Sequence, residues 1–332
     1  MTRPAMTESE AEARLTRDSS DVKALIAKGD HRYEDSDRRA ALAFYNAALV
    51  AGSHPDSSVR ELVDRARQRA QEIQASIPGH IVDSLSRAGW PERSWHPRFR
   101  DSLAIMLGRK QRHDTHAFPQ MPNAFYYDGL PYVQFADPSG FEWREVVEAA
   151  ADAIRAEAAG LAEEAELGAY VRKKSDRPQG DVHGMLENAS WSTFDLTDKG
   201  VPVTDRVARY PTAHGAIAAN APLCDIPNRA PSIMFSRLAA GAHIPPHTGM
   251  VNTRFVCHLP LVVPGEGYLR VGSEKRNWTE GELLVFDDTV EHEAKNDSDR
   301  DRLVLIFDIW RPELSEDERS QIRALFAAVD SY

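Results

Sequence analysis

Cysteine is scarce in this 332-residue chain: only Cys224 and Cys257 are present. Two cysteines build no disulfide framework of the kind that holds small secreted domains together. No apolar run approaches the roughly 20 residues that a membrane-spanning helix needs. The opening stretch MTRPAMTESEAEARL lacks an apolar h-region, so the expectation is no secretory signal and a reducing, cytoplasmic setting. Positive charge is also in deficit, with 40 Lys and Arg against 51 Asp and Glu and a net charge of −11. That balance argues against nucleic acid or an anionic membrane surface as a partner, since both call for a basic stripe. What remains is ordinary globular composition, 42% hydrophobic and 27% charged. At about 150 residues per domain the length suggests two domains. Composition thus leaves an enzyme or a binding protein.

Residues 1–76 are nearly neutral and read as helical. Within ALIAKGDHRYEDSDRRAALAFYNAAL, Gly29, Ala41, Tyr45 and Ala48 fall at the spacing of one tetratricopeptide repeat. Small residues there let two antiparallel helices approach, and Tyr45 fills the gap. A single repeat cannot bury its own apolar face, so helices near 8–20 and 57–75 are expected to complete the stack. Residues 77–125 carry Pro78, Pro91, Pro97, Pro119 and Pro122 without a sustained period, which predicts a linker and an irregular segment. In FEWREVVEAAADAIRAEAAGLAEEAEL, Val147, Ala150, Ile154, Ala158 and Leu161 recur at helical spacing, with carboxylates opposite. That acidic run reads as a solvated helix face.

From about residue 180, short alternating segments are separated by Pro, Gly and Asn turns: SIMFSRLAAGAHIPPH, TRFVCHLPLVV, YLRVGS, GELLVFDD, RLVLIFDIW. Strands at this spacing predict an antiparallel sandwich or barrel of the jelly-roll type. In TRFVCHLPLVV, Phe255, Cys257, Leu259 and Leu261 share one face, while Arg254, Val256 and His258 share the other. A strand that is apolar on one side and carries Arg and His on the other lines a pocket. His247 sits in HIPPHTG, directly after a strand. His292 lies near the end of GELLVFDDTVEHE, and Arg302 opens the last long strand. In a jelly roll, histidines from two strand ends meet in the barrel mouth beside a basic residue. This is the layout of non-haem iron(II) oxygenases that use 2-oxoglutarate, where iron takes two imidazoles and usually a carboxylate.

The stretch from about 180 to 315 resembles the aspartyl/asparaginyl β-hydroxylase family, on HTGMVNTRFVCHLPLVVPGEGYLRVG, WTEGELLVFDDTVEHEAKND and RLVLIFDIWRPEL. The helical N-terminus looks like the helical part of its longer members. The resemblance implies an α+β fold, a double-stranded β-helix (jelly roll, cupin-like) oxygenase domain over 126–332 preceded by a small helical repeat domain. It implies Fe(II) on His247 and His292, with 2-oxoglutarate and O2 as cosubstrates. Arg302 would meet the distal carboxylate of 2-oxoglutarate, helped by the Ser236 hydroxyl, and His258 would meet its C1 carboxylate. Trp191 would wall that pocket, and Arg254 would grip the acceptor's side chain. The reaction implied is hydroxylation of a carbon, foremost the β-carbon of Asp or Asn in a peptide or protein, with release of succinate and CO2.

Two positions depart from the iron-oxygenase pattern. The usual third ligand lies two residues after the first His, and here it is Gly249, as in this family, with water expected in its place. Val256 stands where animal members carry a second arginine, so Arg254 is expected to be the main charged anchor for the acceptor. A lipid acyl chain or a free amino acid is an alternative acceptor. A reading of another class is a non-catalytic helical-repeat adaptor whose jelly roll senses 2-oxoglutarate.

Overall fold

A computed structural model describes residues 6–53, 58–161, 167–173, 177–178 and 184–332. The chain divides into two compact units, residues 1–94 with 173–180 and 324–332, and residues 95–172 with 181–323. The first unit holds α1 (Glu8–Arg17), α2 (Val22–Glu34), α3 (Arg38–Ala51) and α4 (Arg60–Arg87). The starts of α1, α2 and α3 are fixed by side chains that accept from orphan backbone N–H groups: Thr7 in a reciprocal pair with Glu10, Asp21 for Ala24, and Asp37 for Ala40. The α2–α3 hairpin closes where a β-carbon on Gly29 would stand 2.6 Å from Cε1 of Tyr45. Tyr45 is fully buried and donates its hydroxyl to Asp30 at 2.8 Å, while Arg65 and Arg69 of α4 bind the same carboxylate. One buried acid thus ties three helices together. Gly29→Ala is expected to lower stability by about 1–3 kcal/mol, the usual effect of overpacking a tight contact. Thermal denaturation of the full chain checks this, and an unchanged midpoint would refute it.

The expected linker from 77 is instead helical at its start. α4 continues through Pro78 to Arg87. Proline removes one intrahelical hydrogen bond, but the apolar stripe Ile73, Ile81 and Leu85 is buried on both sides of it and holds the helix. Pro97 opens a further helix, α5 (Pro97–Met106), at the first turn, where its fixed φ is favourable.

The second unit also contains α6 (Arg144–Ala149), α7 (Ala151–Glu157), α8 (Thr204–Arg209), α9 (Pro211–Ala218) and the start of α10 (Glu316–Asp330). The acidic stretch forms two short helices, not one. At Ala150 the N–H bonds Val147 O three residues back and breaks the run. Val147, Ile154, Ala158 and Leu161 are nonetheless all buried, as the spacing requires. The end of that run, 162–166, lies outside the described residues.

Its strands are β1 (Phe135–Ala136), β2 (Gly168–Ala169), β3 (Trp191–Asp195), β4 (Thr197–Asp198), β5 (Val201–Pro202), β6 (Ile233–Leu238), β7 (His243–His247), β8 (Arg254–Val262), β9 (Gly267–Val271), β10 (Glu274–Arg276), β11 (Leu284–Phe286), β12 (His292–Asn296) and β13 (Arg302–Trp310). β4 and β5 form a small hairpin. The others make a seven-stranded sheet, β1-β11-β8-β13-β6-β3-β2, and a four-stranded sheet, β10-β9-β12-β7. Their pairings are antiparallel, so the domain is a jelly roll of the cupin type in an α+β setting.

The larger sheet is covered on both faces, and the period-two alternation decides what goes where. Phe235, Phe255, Cys257, Leu259, Leu305 and Phe307 pack with Val147, Ile154, Ala213 and Ile217 of the helices. The alternate positions, among them Val256, Val304 and Ile306, pack with Ile244, Leu269, Val271 and Ala294 of the smaller sheet. Whatever faces the inter-sheet space on β8 and β13 must therefore share phase with Val256 and Val304. Arg254, His258, Arg302 and Asp308 do. Among the described residues no helix is long and apolar enough to cross a membrane.

Candidate active site

β7 ends on His247 and β12 begins on His292, and the register pairs these two residues directly. Their ring centroids lie 4.1 Å apart. Each imidazole rests its Nδ1 on the carbonyl two residues earlier, His247 on Pro245 at 2.8 Å and His292 on Val290 at 3.1 Å. Such a bond fixes ring orientation and commits Nε2 to other partners, as in metal-binding histidines. Burial, and then the neighbouring His247, holds His292 well below the ordinary histidine range, so it is a neutral donor at physiological pH.

The turn that delivers His292 is pinned from beneath. Asp287 is fully buried; Thr289 N donates to its Oδ1 at 2.9 Å, and Gln120 and Arg311 donate to its Oδ2 at 2.5 and 3.2 Å. Asp288, next along, turns its carboxylate into the space beside Gly249. A β-carbon on Gly249 would lie 2.0 Å from Asp288 Oδ2. The expected gap at Gly249 is thus filled by Asp288, whose Oδ1 is buried without a hydrogen-bond partner among the described residues.

Arg254 is already paired with two acids, Nη2 donating to Asp288 at 2.8 Å and Nη1 to Asp308 at 2.7 Å. All three side chains are at least nine-tenths buried. The Arg254 Nε has no hydrogen-bond partner among the described residues, while the two Nη groups make Arg254 the bridge between two buried carboxylates. Arg254→Ala strands both of them, and breaking such a pair costs about 3–5 kcal/mol. A large drop in the unfolding midpoint is expected; wild-type stability would refute the bridge.

On the other side of the cavity, Arg302 is 2% exposed, and its Nε and Nη1 have no partner among the described residues. Among the described residues no carboxylate pairs with it. Its guanidinium lies over the Trp278 ring at 4.5 Å, and burial works against its charge. His258, on the adjacent strand, is buried with an unpartnered Nδ1 and is pushed down to about 3, by burial first and Arg302 second. It is neutral at any ordinary pH. Ser236 is fully buried and accepts from Trp191 Nε1 at 3.1 Å. Trp191 lies 5.8 Å from His247 and stacks on Tyr170 at 4.1 Å. Arg300, two residues before Arg302, bonds the Pro264 carbonyl on the surface.

The fold therefore brings together every residue singled out from the sequence: His247, His292, Ser236, His258, Arg302, Trp191 and Arg254. It adds Asp288, Asp308, Tyr170 and Trp278. Asp308 shares the alternation phase of Arg302 and was findable on that basis. Among the described residues no three His, Cys, Asp or Glu side chains form a metal-holding group, so a metal here would rest on the two histidines.

Residues 148–312 match the model of the family described as aspartyl/asparaginyl beta-hydroxylase. The human aspartyl/asparaginyl beta-hydroxylase is 34% identical over 152 residues, 42% of this chain and 18% of that protein. The ornithine lipid ester-linked acyl 2-hydroxylase of Rhizobium tropici is 32% identical over 184 residues, 53% of this chain and 60% of that one. The chain thus spans under a fifth of the human relative's length and about three fifths of the bacterial one's. Among solved structures, the Schizosaccharomyces pombe Cnp3 cupin domain is similar at 7% identity with a TM-score of 0.25, over 37% of this chain and 66% of that one. A predicted oxalate decarboxylase from Thermotoga maritima is similar at 14% identity with a TM-score of 0.24, over 36% and 81%. Through residues 148–312, this chain belongs to the aspartyl/asparaginyl beta-hydroxylase family.

Proposed function

We propose that the chain is an Fe(II)- and 2-oxoglutarate-dependent dioxygenase that hydroxylates a carbon of an organic acceptor, foremost the β-carbon of Asp or Asn in a peptide. The observation that carries this reading is a buried cation without a counter-ion among the described residues, Arg302, in the same inter-sheet space as two neighbouring histidines. A buried, unpaired guanidinium is unfavourable and is satisfied by a bound anion. Its planar fork suits a carboxylate. The residues fit iron as well: one half-buried and one buried imidazole, both with orientation fixed at Nδ1, and His292 held neutral.

His247 and His292 would hold the metal, which when bound supplies the activation of O2 coupled to oxidative decarboxylation of 2-oxoglutarate. Arg302 binds the distal carboxylate of the cosubstrate. Ser236, with its oxygen already accepting from Trp191, turns its own proton toward the same group. His258, neutral, offers an N–H to the C1 carboxylate. Trp191 and Tyr170 form an aromatic wall on the His247 side that excludes water. The Arg254 bridge holds Asp288 beside Gly249.

The two carboxylates already on Arg254 favour an acceptor that adds no further negative charge: an asparaginyl amide, or an acyl chain such as the Rhizobium relative's name describes. The test is succinate formation from 2-oxoglutarate with Fe(II), screened against Asp and Asn peptides, free amino acids and acyl substrates, with mass spectrometry for oxygen addition. Succinate coupled to oxygen addition is the expected result. A chain that binds 2-oxoglutarate yet forms no succinate with any of them is the non-catalytic sensor.

A further inference from the structure

We propose that Trp278 is part of the cosubstrate site: its ring positions Arg302, and its indole N–H is an additional donor to the distal carboxylate of 2-oxoglutarate. The inference rests on the cosubstrate reading of Arg302 and extends it to a residue outside both the histidine pair and the strands that carry the other site residues. Trp278 follows β10 in an irregular segment, is 5% exposed, and its Nε1 has no hydrogen-bond partner among the described residues. Buried indoles ordinarily place that N–H on an acceptor. The face of the same ring carries the Arg302 guanidinium at 4.5 Å. The backbone of β9 passes close beneath, where a β-carbon on Gly267 would stand 3.1 Å from Trp278 Cζ3. The ring is thereby held in one place.

Three unpartnered donors, Nε and Nη1 of Arg302 and Nε1 of Trp278, belong to two side chains in van der Waals contact. One carboxylate, with about four lone-pair sites, can accept from all of them. The stack also explains how a guanidinium without a carboxylate partner keeps its position in the ligand-free protein: the negative face of the indole attracts it, most strongly where water is excluded. Trp278 is a positioning residue through its ring and a binding residue through its N–H.

The experiment is calorimetric titration of 2-oxoglutarate into the full chain loaded with Mn(II), alongside melting curves without ligand. Trp278→Phe keeps a ring and removes the N–H, and should weaken 2-oxoglutarate roughly tenfold, the effect of losing one hydrogen bond to a charged group. Trp278→Leu removes both and should weaken it roughly a hundredfold. Wild-type affinity in Trp278→Phe, a variant mild enough to fold, together with an altered melting point would make the tryptophan structural and overturn the proposal. If the wild-type chain itself does not bind 2-oxoglutarate, the cosubstrate reading falls and the Trp278 assignment falls with it.

Discussion

Arg302→Leu should make the ligand-free protein more stable and the 2-oxoglutarate complex all but unreachable. In the wild type a cation sits 2% exposed with two unpartnered N–H groups and no paired carboxylate among the described residues. Replacing a buried ionic group by an apolar one of similar reach is neutral or stabilising by about 1–4 kcal/mol, and Leu can pack on the Trp278 ring that Arg302 now covers. Binding should move the opposite way. Removing one partner of a buried charge pair costs about 3–5 kcal/mol, a hundredfold or more in the 2-oxoglutarate dissociation constant. The two effects cross in one melting experiment. Without ligand the variant melts above the wild type. With 2-oxoglutarate at about 100 times its dissociation constant the wild type gains about 2.7 kcal/mol, and the variant at most about 0.4 kcal/mol. A 2-oxoglutarate-dependent rise that survives in Arg302→Leu would show that the anion binds elsewhere.

Loss of either histidine is the second large effect expected. His247 and His292 face each other across one register position, and among the described residues no third His, Cys, Asp or Glu completes a metal-holding group. His247→Ala or His292→Ala therefore leaves a single imidazole. Metal catalysis contributes several kcal/mol to the transition state, so Fe(II)-dependent succinate formation should fall about a thousandfold or more, to background. Bound iron, measured on the same samples, should fall in parallel. Because Nδ1 of each ring bonds a carbonyl two residues earlier in its own turn, folding should survive. Full activity in either variant would sink the two-histidine assignment.

Much of this site was legible because strands repeat every two residues. Arg254, Val256 and His258 had to share a face, and that face had to differ from the one bearing Phe255, Cys257 and Leu259. The same count on RLVLIFDIW places Asp308 with Arg302. Which partners those side chains meet was not legible, since that depends on register between strands distant in the chain. Arg254 looks like an open hand in sequence. Only the pairing of β8 with β13, and the turn before β12, puts Asp308 and Asp288 against it. Trp278 and Tyr170 lie just outside regular strands, where no period assigns a face. The helical hairpin was readable from Gly29 and Tyr45, whereas the reach of α4 past Pro78 was not. The proline signals a break, and only the burial of Ile81 and Leu85 outweighs it.

The contact between Gly249 and Asp288 constrains how this site can change. A single substitution, Gly249→Asp, would seem to create the three-ligand arrangement common among iron oxygenases. Here the new β-carbon would coincide with an acid that already fills the space and is tethered to Arg254. Both side chains find room only if Asp288→Gly accompanies Gly249→Asp, since the change at 249 alone forces the Asp288 carboxylate off its place beside Arg254. A library that varies position 249 alone should therefore favour glycine, and one that varies 249 and 288 together should not.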